Sequence, residues 1–429
     1  MQVIENKKVK EKMYIEKLKN GLTVIILPRT TTEKKYVMWG INFGSIDNHF
    51  MNPANNEEIN IPDGVAHFLE HKMFEQPNGT NSLDNLSSLG IDANAYTTND
   101  YTTYLFECTD NFYEGLDELM DYVQHPYYTD ENVEKEKGII AQEINMYNDS
   151  PEWKVYMNMI ECMYKVNPVR IDIAGSVESI QEINKEMLYN CYNTFYTPEN
   201  MLMVVTGNFE PEKIIQEISS RCVSQSGKEK QNYEIKRVYP NEPEEINEKQ
   251  KIQNMDINNS LFAIGYKDKV IDNGTEQVKK HIAIEIILNI LLGKSSRLYK
   301  KLYEEGLIMS KPDLDYEFSK EYAHSSISGK SNNPEKVLNE LNLEINNLKQ
   351  NGINNEEFSR IKKKIFGSYI MEYNDIGSVA RMIMSDYFKG INSFEYLENY
   401  KQITKEYTQK ILNEIFNEEK QVISIIKGK

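Results

Sequence analysis

The chain has 429 residues, too many for one ordinary hydrophobic core, so two domains of roughly 200 residues each are expected. Apolar residues make up 40% and charged residues 27%, a globular balance, and no run reaches the ~18 uninterrupted apolar residues of a membrane-spanning helix. The 66 acidic residues outnumber the 49 basic ones for a formal charge of −17, which argues against nucleic acid as a partner and is compatible with cationic peptides.

In chain order, the charged opening MQVIENKKVKEKMYIEKL lacks an apolar h-region, so no secretory leader and a cytoplasmic location are expected. Lys19-Asn20-Gly21 reads as a turn into a strand over 22–28 that Pro28 ends. A second strand is expected over 37–47, broken at Gly44, then a polar loop over 48–63. Asp63 is a candidate N-cap for a helix from Gly64 through VAHFLEHKMFE, and a short helix over 81–89 closes at Gly90. The Tyr- and Thr-rich alternation over 94–108 predicts a strand. Helical periodicity covers 110–148 with a break near His125-Pro126, and MLMVVTGNF (201–209) returns as a strand.

Residues 223–250 are polar with almost no apolar run and read as a linker. The pattern then restarts: a strand over 261–266, helices over 276–292 and 295–305, strands near 314–329, further helices and a last strand over 421–426. Tyr147-Asn148-Asp149 recurs as Tyr373-Asn374-Asp375. The fold class expected is therefore α+β, with two related α/β halves, each an antiparallel-rich sheet packed with helices. The domains expected are 1–222, a linker at 223–250 and 251–429. The four cysteines are scattered without a C-x-x-C pair, which predicts neither a disulfide framework nor a thiolate zinc site.

The chemistry concentrates in His67-Phe68-Leu69-Glu70-His71. Residues four apart on a helix share a face, so both imidazoles can reach one metal ion. Glu70 projects beside that face, where it can hydrogen-bond a water without ligating the metal. The chain has six histidines in all, which makes a pair at this spacing informative. A catalytic zinc site needs a third protein ligand and an open position. Glu143 is the candidate ligand, on a helix whose apolar face is expected from Ile139, Ile140 and Ile144. Glu136, two helical turns earlier, faces the same way as a second carboxylate lining the site.

HFLEH followed by two glutamates seven residues apart resembles the pitrilysin/insulinase family of inverted zincins. The resemblance extends through LKNGLTVIILP, FGSIDN, PDGVAHFLEHKMFE, LGIDANAYTTNDYTTYLF, EKEKGIIAQEINMYND and FYTPENMLMVVTGNFEP. It is closest to a bacterial subfamily related to processing peptidases. It implies a zinc endopeptidase with Glu70 as general base and Glu136 as a further catalytic carboxylate. It also implies an edge strand at Asn94, Ala95 and Tyr96 that takes up substrate backbone, and chains that pair around a chamber.

The interval between His71 and Glu143 is slightly shorter than usual for the family. A second departure lies in SSRLYKKLYEEGLIMS (295–310): where catalytic members carry an Arg and a Tyr that hold the substrate carbonyl, this chain has Tyr303 and Met309. Arg297 falls too early in the motif to replace that Arg. This predicts a heterodimer in which a zinc-less paralogue completes the site; the alternative, a homodimer, would lack that electrostatic contribution. The rival reading is a non-catalytic structural or assembly subunit. N/O ligands leave the metal open between Zn²⁺, Mn²⁺ and Co²⁺.

Overall fold

The computed structural model describes residues 1–53, 55–222 and 235–428. Two compact units form, and they interleave in sequence rather than dividing at 222 and 251. The first comprises Met1–Ile144, Asp172–Tyr239 and Ile370–Phe388; the second comprises Asn145–Ile171, Pro240–Tyr369 and Lys389–Lys429.

The first unit is built on a seven-stranded sheet. Its strands are β1 (Gln2–Asn6), β2 (Glu11–Lys17), β3 (Thr23–Pro28), β4 (Lys35–Ile41), β7 (Asp92–Thr97), β8 (Thr102–Cys108) and β9 (Met201–Gly207), in the order β1-β2-β3-β9-β4-β8-β7. A separate hairpin of β5 (His49–Met51) and β6 (Glu58–Asn60) occupies the stretch expected to be loop. β9 pairs parallel with β3 and antiparallel with β4, and every residue of it is buried. Burial on both faces explains why MLMVV is a continuous apolar run rather than an alternating one.

The second unit holds a five-stranded sheet of β10 (Gln250–Met255), β11 (Leu261–Asp268), β12 (Asp313–Phe318), β13 (Ala323–Lys330) and β14 (Gln421–Gly428), in the order β10-β14-β11-β13-β12. β10 and β14 are parallel; the other pairs are antiparallel. Strands β3, β4, β7, β8 and β9 repeat this order and polarity strand for strand, so the duplication suggested by the Tyr-Asn-Asp repeat is present in the topology.

Each copy of the repeat immediately precedes a helix that leaves its own half. Helix Pro151–Met163 packs on β10, β11 and β14, and helix Ile376–Phe388 packs on β4 and β9. Both approaches are close enough that a larger residue would have to displace a methionine side chain. A Cβ on Gly40 of β4 would strike Met384, and one on Gly265 of β11 would strike Met163. A sheet with two apolar faces must be covered on both, and this exchange is why the units are discontinuous.

Residues 223–234 of the expected linker lie outside the described residues. Its remainder is anchored rather than free. In the first unit Arg237 Nε and Tyr239 Oη donate to Asp47 Oδ1 at 2.8 and 2.6 Å. In the second, Glu242 accepts backbone N–H groups of Lys165, Val166 and Asn167.

Candidate metal centre

Helix α1 (Val65–Lys72) carries the pentapeptide. Val65, Ala66, Phe68 and Leu69 are buried in the core, which turns His67 and His71 to the opposite side. The expected cap is not made. Gly64 holds the N-cap position at φ 94°, and Asp63 instead accepts from Asn48 Nδ2 at 3.0 Å. A side chain on Gly64 would collide with the Ala174 carbonyl, so the positive φ and the close approach both require glycine there.

The long interval between the histidines and Glu143 folds into α2 (Ser82–Ser88), the hairpin β7–β8, α3 (Phe112–Gln124) and α4 (Asp130–Asn148). The strand expected over 94–108 is interrupted by a turn in which Thr98 N–H donates to Tyr101 O at 2.8 Å. In α4, Val133, Ile140 and Ile144 are buried as an anchoring face. Ile139, expected to belong to that face, is 47% exposed and lines the cavity beside the site.

His67, His71 and Glu143 converge, each offering one ligand atom within 4.8 Å of the others. Glu143 Oε1 is 3.7 Å from His67 Nε2, and Glu143 Oε2 is 3.4 Å from His71 Nε2. Two imidazole nitrogens and one carboxylate oxygen, with no further ligand in the cluster among the described residues, fit a zinc ion that keeps an open position. Glu136 stands behind His71: its Oε1 accepts from His71 Nδ1 at 3.1 Å and its Oε2 lies 3.4 Å from Lys72 Nζ. That bond puts the proton on Nδ1 and leaves the Nε2 lone pair for a metal. His67 Nδ1 is buried with no hydrogen-bond partner among the described residues.

Burial, reinforced by the neighbouring His71, pulls the His67 pKa down to about 3, so this ring is neutral at physiological pH. Burial acts the same way on His71, but the hydrogen bond to Glu136 and the charges of Glu70, Glu136 and Glu143 outweigh it and raise its pKa. Burial opposes ionisation of Glu136, yet His71 and Lys72 prevail and hold it below the ordinary carboxylate range. Glu70, 7% exposed, is pushed up to about 6 by burial, against a hydrogen bond from Thr97.

Beside Glu70 and His71 opens a cavity of about 640 Å³. Asn94 and Ala95 line it from β7, the edge strand of the sheet. Tyr96 turns instead to Tyr101, ring centroids 6.1 Å apart. In the second unit Tyr303 and Met309 are exposed, and Arg297 Nη2 is bound to Glu344 Oε2 at 2.7 Å. Two residues at the site escaped the sequence reading. Lys72 passes for a surface charge, and Thr97 for one of several strand threonines.

Comparison with known proteins places the whole chain among peptidases of one family. The sequence model "Insulinase (Peptidase family M16)" matches residues 54–177, and "Peptidase M16 inactive domain" matches 182–365. The uncharacterized zinc protease YmfH of Bacillus subtilis is 38% identical over 417 residues, covering 96% of this chain and 95% of the relative. The mitochondrial-processing peptidase subunit beta of Caenorhabditis elegans is 29% identical over 170 residues, 39% of this chain and 37% of that one. Among solved structures, an M16-like peptidase from Alicyclobacillus acidocaldarius superposes with a TM-score of 0.92 at 32% identity, covering 99% of this chain and 100% of that one.

Proposed function

Because the chain belongs to the insulinase family of peptidases, family M16, we propose that it is a zinc-dependent endopeptidase acting on peptides and unfolded segments. The observation that carries this reading is the convergence of His67, His71 and Glu143. When bound, the ion supplies Lewis-acid activation of water and of the scissile carbonyl. Glu70 takes the proton of the attacking water at Oε1, the oxygen that Thr97 does not engage, and passes it to the leaving amine. Both oxygens of Glu136 are occupied, by His71 and by Lys72, so Glu136 acts through His71 rather than on the substrate. Asn94, Ala95 and Tyr96 on edge strand β7 receive the substrate backbone by strand addition.

Tyr303 and Met309 cannot supply the cationic and phenolic donors that the resemblance associates with those positions. The active form is therefore a heterodimer whose zinc-less paralogue contributes them, at work in the cytoplasm. No helix among the described residues is long and apolar enough to cross a membrane. The intact set of His67, Glu70, His71 and Glu143 weighs against a non-catalytic subunit.

The test is cleavage of a fluorogenic peptide library by the chain alone, by the chain with its paralogue, and by each with Glu70→Gln. Activity that needs the partner and disappears in Glu70→Gln is the expected result. Activity of the chain alone removes the shared site but keeps the peptidase. Zinc binding with no cleavage in any mixture overturns the catalytic reading.

A further inference from the structure

Lys72 is the last residue of α1 and follows the metal-binding pentapeptide directly, yet its side chain is only 1% exposed. Withdrawing an ammonium group from water is expensive unless it is paired, and a lone partner seldom suffices. Lys72 has two: Glu75 one turn further on, and Glu136 Oε2 at 3.4 Å. The second pairing reaches the metal centre, because the other oxygen of Glu136 accepts from His71 Nδ1 at 3.1 Å. Lys72, Glu136 and His71 thus form a chain of polar contacts ending on a metal ligand, whereas His67 Nδ1 has no corresponding partner among the described residues. Without Lys72, the Glu136 carboxylate can rotate away from the imidazole, and His71 loses the partner that sets its tautomer and ring angle.

We infer that Lys72 is a positioning residue of the metal centre, holding His71 through Glu136. The inference rests on the metal-centre reading above. A cation at a helix C-terminus also interacts favourably with the helix dipole, and its stem fills space in the core, so the test must separate these roles.

Zinc affinity is to be measured on the full chain by competition with a chromophoric chelator, for wild type, Lys72→Met, Glu136→Gln and the double variant. Each single substitution is expected to weaken zinc binding by about 10- to 100-fold, the usual effect of losing a residue that orients a ligand. If Lys72 acts through Glu136, the double variant binds zinc within about twofold of Glu136→Gln alone. Losses that multiply in the double variant, or a Lys72→Met chain that binds as wild type does, overturn the inference.

Lys72→Met leaves two carboxylates uncompensated and can fail to fold. Where the single variant does not fold, Lys72→Met is read in a Glu75→Gln background, which removes the other uncompensated carboxylate and leaves Glu136 in place; zinc affinity equal to that of Glu75→Gln alone overturns the inference. A wild-type chain that binds no zinc overturns the metal-centre reading and this inference together. Zinc binding in wild type with multiplying losses overturns the inference alone.

Discussion

Thr97 Oγ1 donates a 2.7 Å hydrogen bond to Glu70 Oε2, so the last residue of edge strand β7 grips the carboxylate assigned to move the proton. Thr102 on the neighbouring strand lies 3.2 Å from Thr97 Oγ1 and donates its own hydroxyl to Phe43 O at 3.0 Å. Removing the Thr97 hydroxyl while keeping its shape tests this link. A hydrogen bond to a charged group contributes about 1.5–3 kcal/mol, so Thr97→Val is expected to lower kcat by roughly 10- to 100-fold. KM and zinc content should hardly change, and Thr97→Ser should recover most of the rate. Steady-state kinetics beside metal analysis decides it; a loss confined to KM would contradict the assignment.

In the proposed mechanism Glu70 moves a proton and does not hold the metal. Glu70→Gln keeps the shape of the side chain and removes its basicity. It is expected to reduce kcat by about 10²- to 10⁴-fold with one zinc per chain retained. His67→Ala should instead lose the metal itself. Metal content by elemental analysis, set against activity, distinguishes the two outcomes.

The opposite pKa directions of the two histidines predict the pH dependence of metal binding. His71, raised above the ordinary imidazole range, holds in the acid range a proton that must leave before Nε2 can ligate, so zinc affinity falls as pH falls through its pKa. His67, at about 3, is already neutral at that pKa and releases nothing. Between about pH 5 and 6.5 the histidine contribution to the slope is therefore roughly one proton, not two. Glu136→Gln removes the leading cause of the rise and should move the His71 step to lower pH, as isothermal titration at several pH values would show.

Two glycines should respond to alanine in opposite directions. At Gly64 the backbone is left-handed and a Cβ would meet the Ala174 carbonyl. Gly64→Ala is expected to destabilise the chain by at least 1–3 kcal/mol, the usual order for such strain, so about that loss or more should be read. Gly138 lies within α4 with nothing within 4 Å of its would-be Cβ, so Gly138→Ala should stabilise by about 0.5–1 kcal/mol. Urea unfolding in the presence of a chelator reads both.

Much of this protein is legible in its sequence because the relevant signals are local. The i, i+4 spacing of His67 and His71 commits them to one face of a helix whatever surrounds it. Gly90 closing α2 and the uniformly apolar β9 are also written within single elements. The repeated Tyr-Asn-Asp reported a duplication that the matching strand orders bear out.

Tertiary structure alone decided the rest. Glu136 and Glu143 share a helix face and are equivalent to any local rule; only the docking of α4 beside α1 sets Glu143 3.4 Å from His71 Nε2 and Glu136 on Nδ1. Ile139 has the composition of a core residue but stands exposed at the cavity, because burial depends on what packs against a face rather than on the residue itself. Lys72 shows the converse, a charge that reads as solvated and lies buried between two carboxylates. Periodicity is set by neighbours within one turn, whereas these pairings join residues more than sixty positions apart, and only the packed chain selects them.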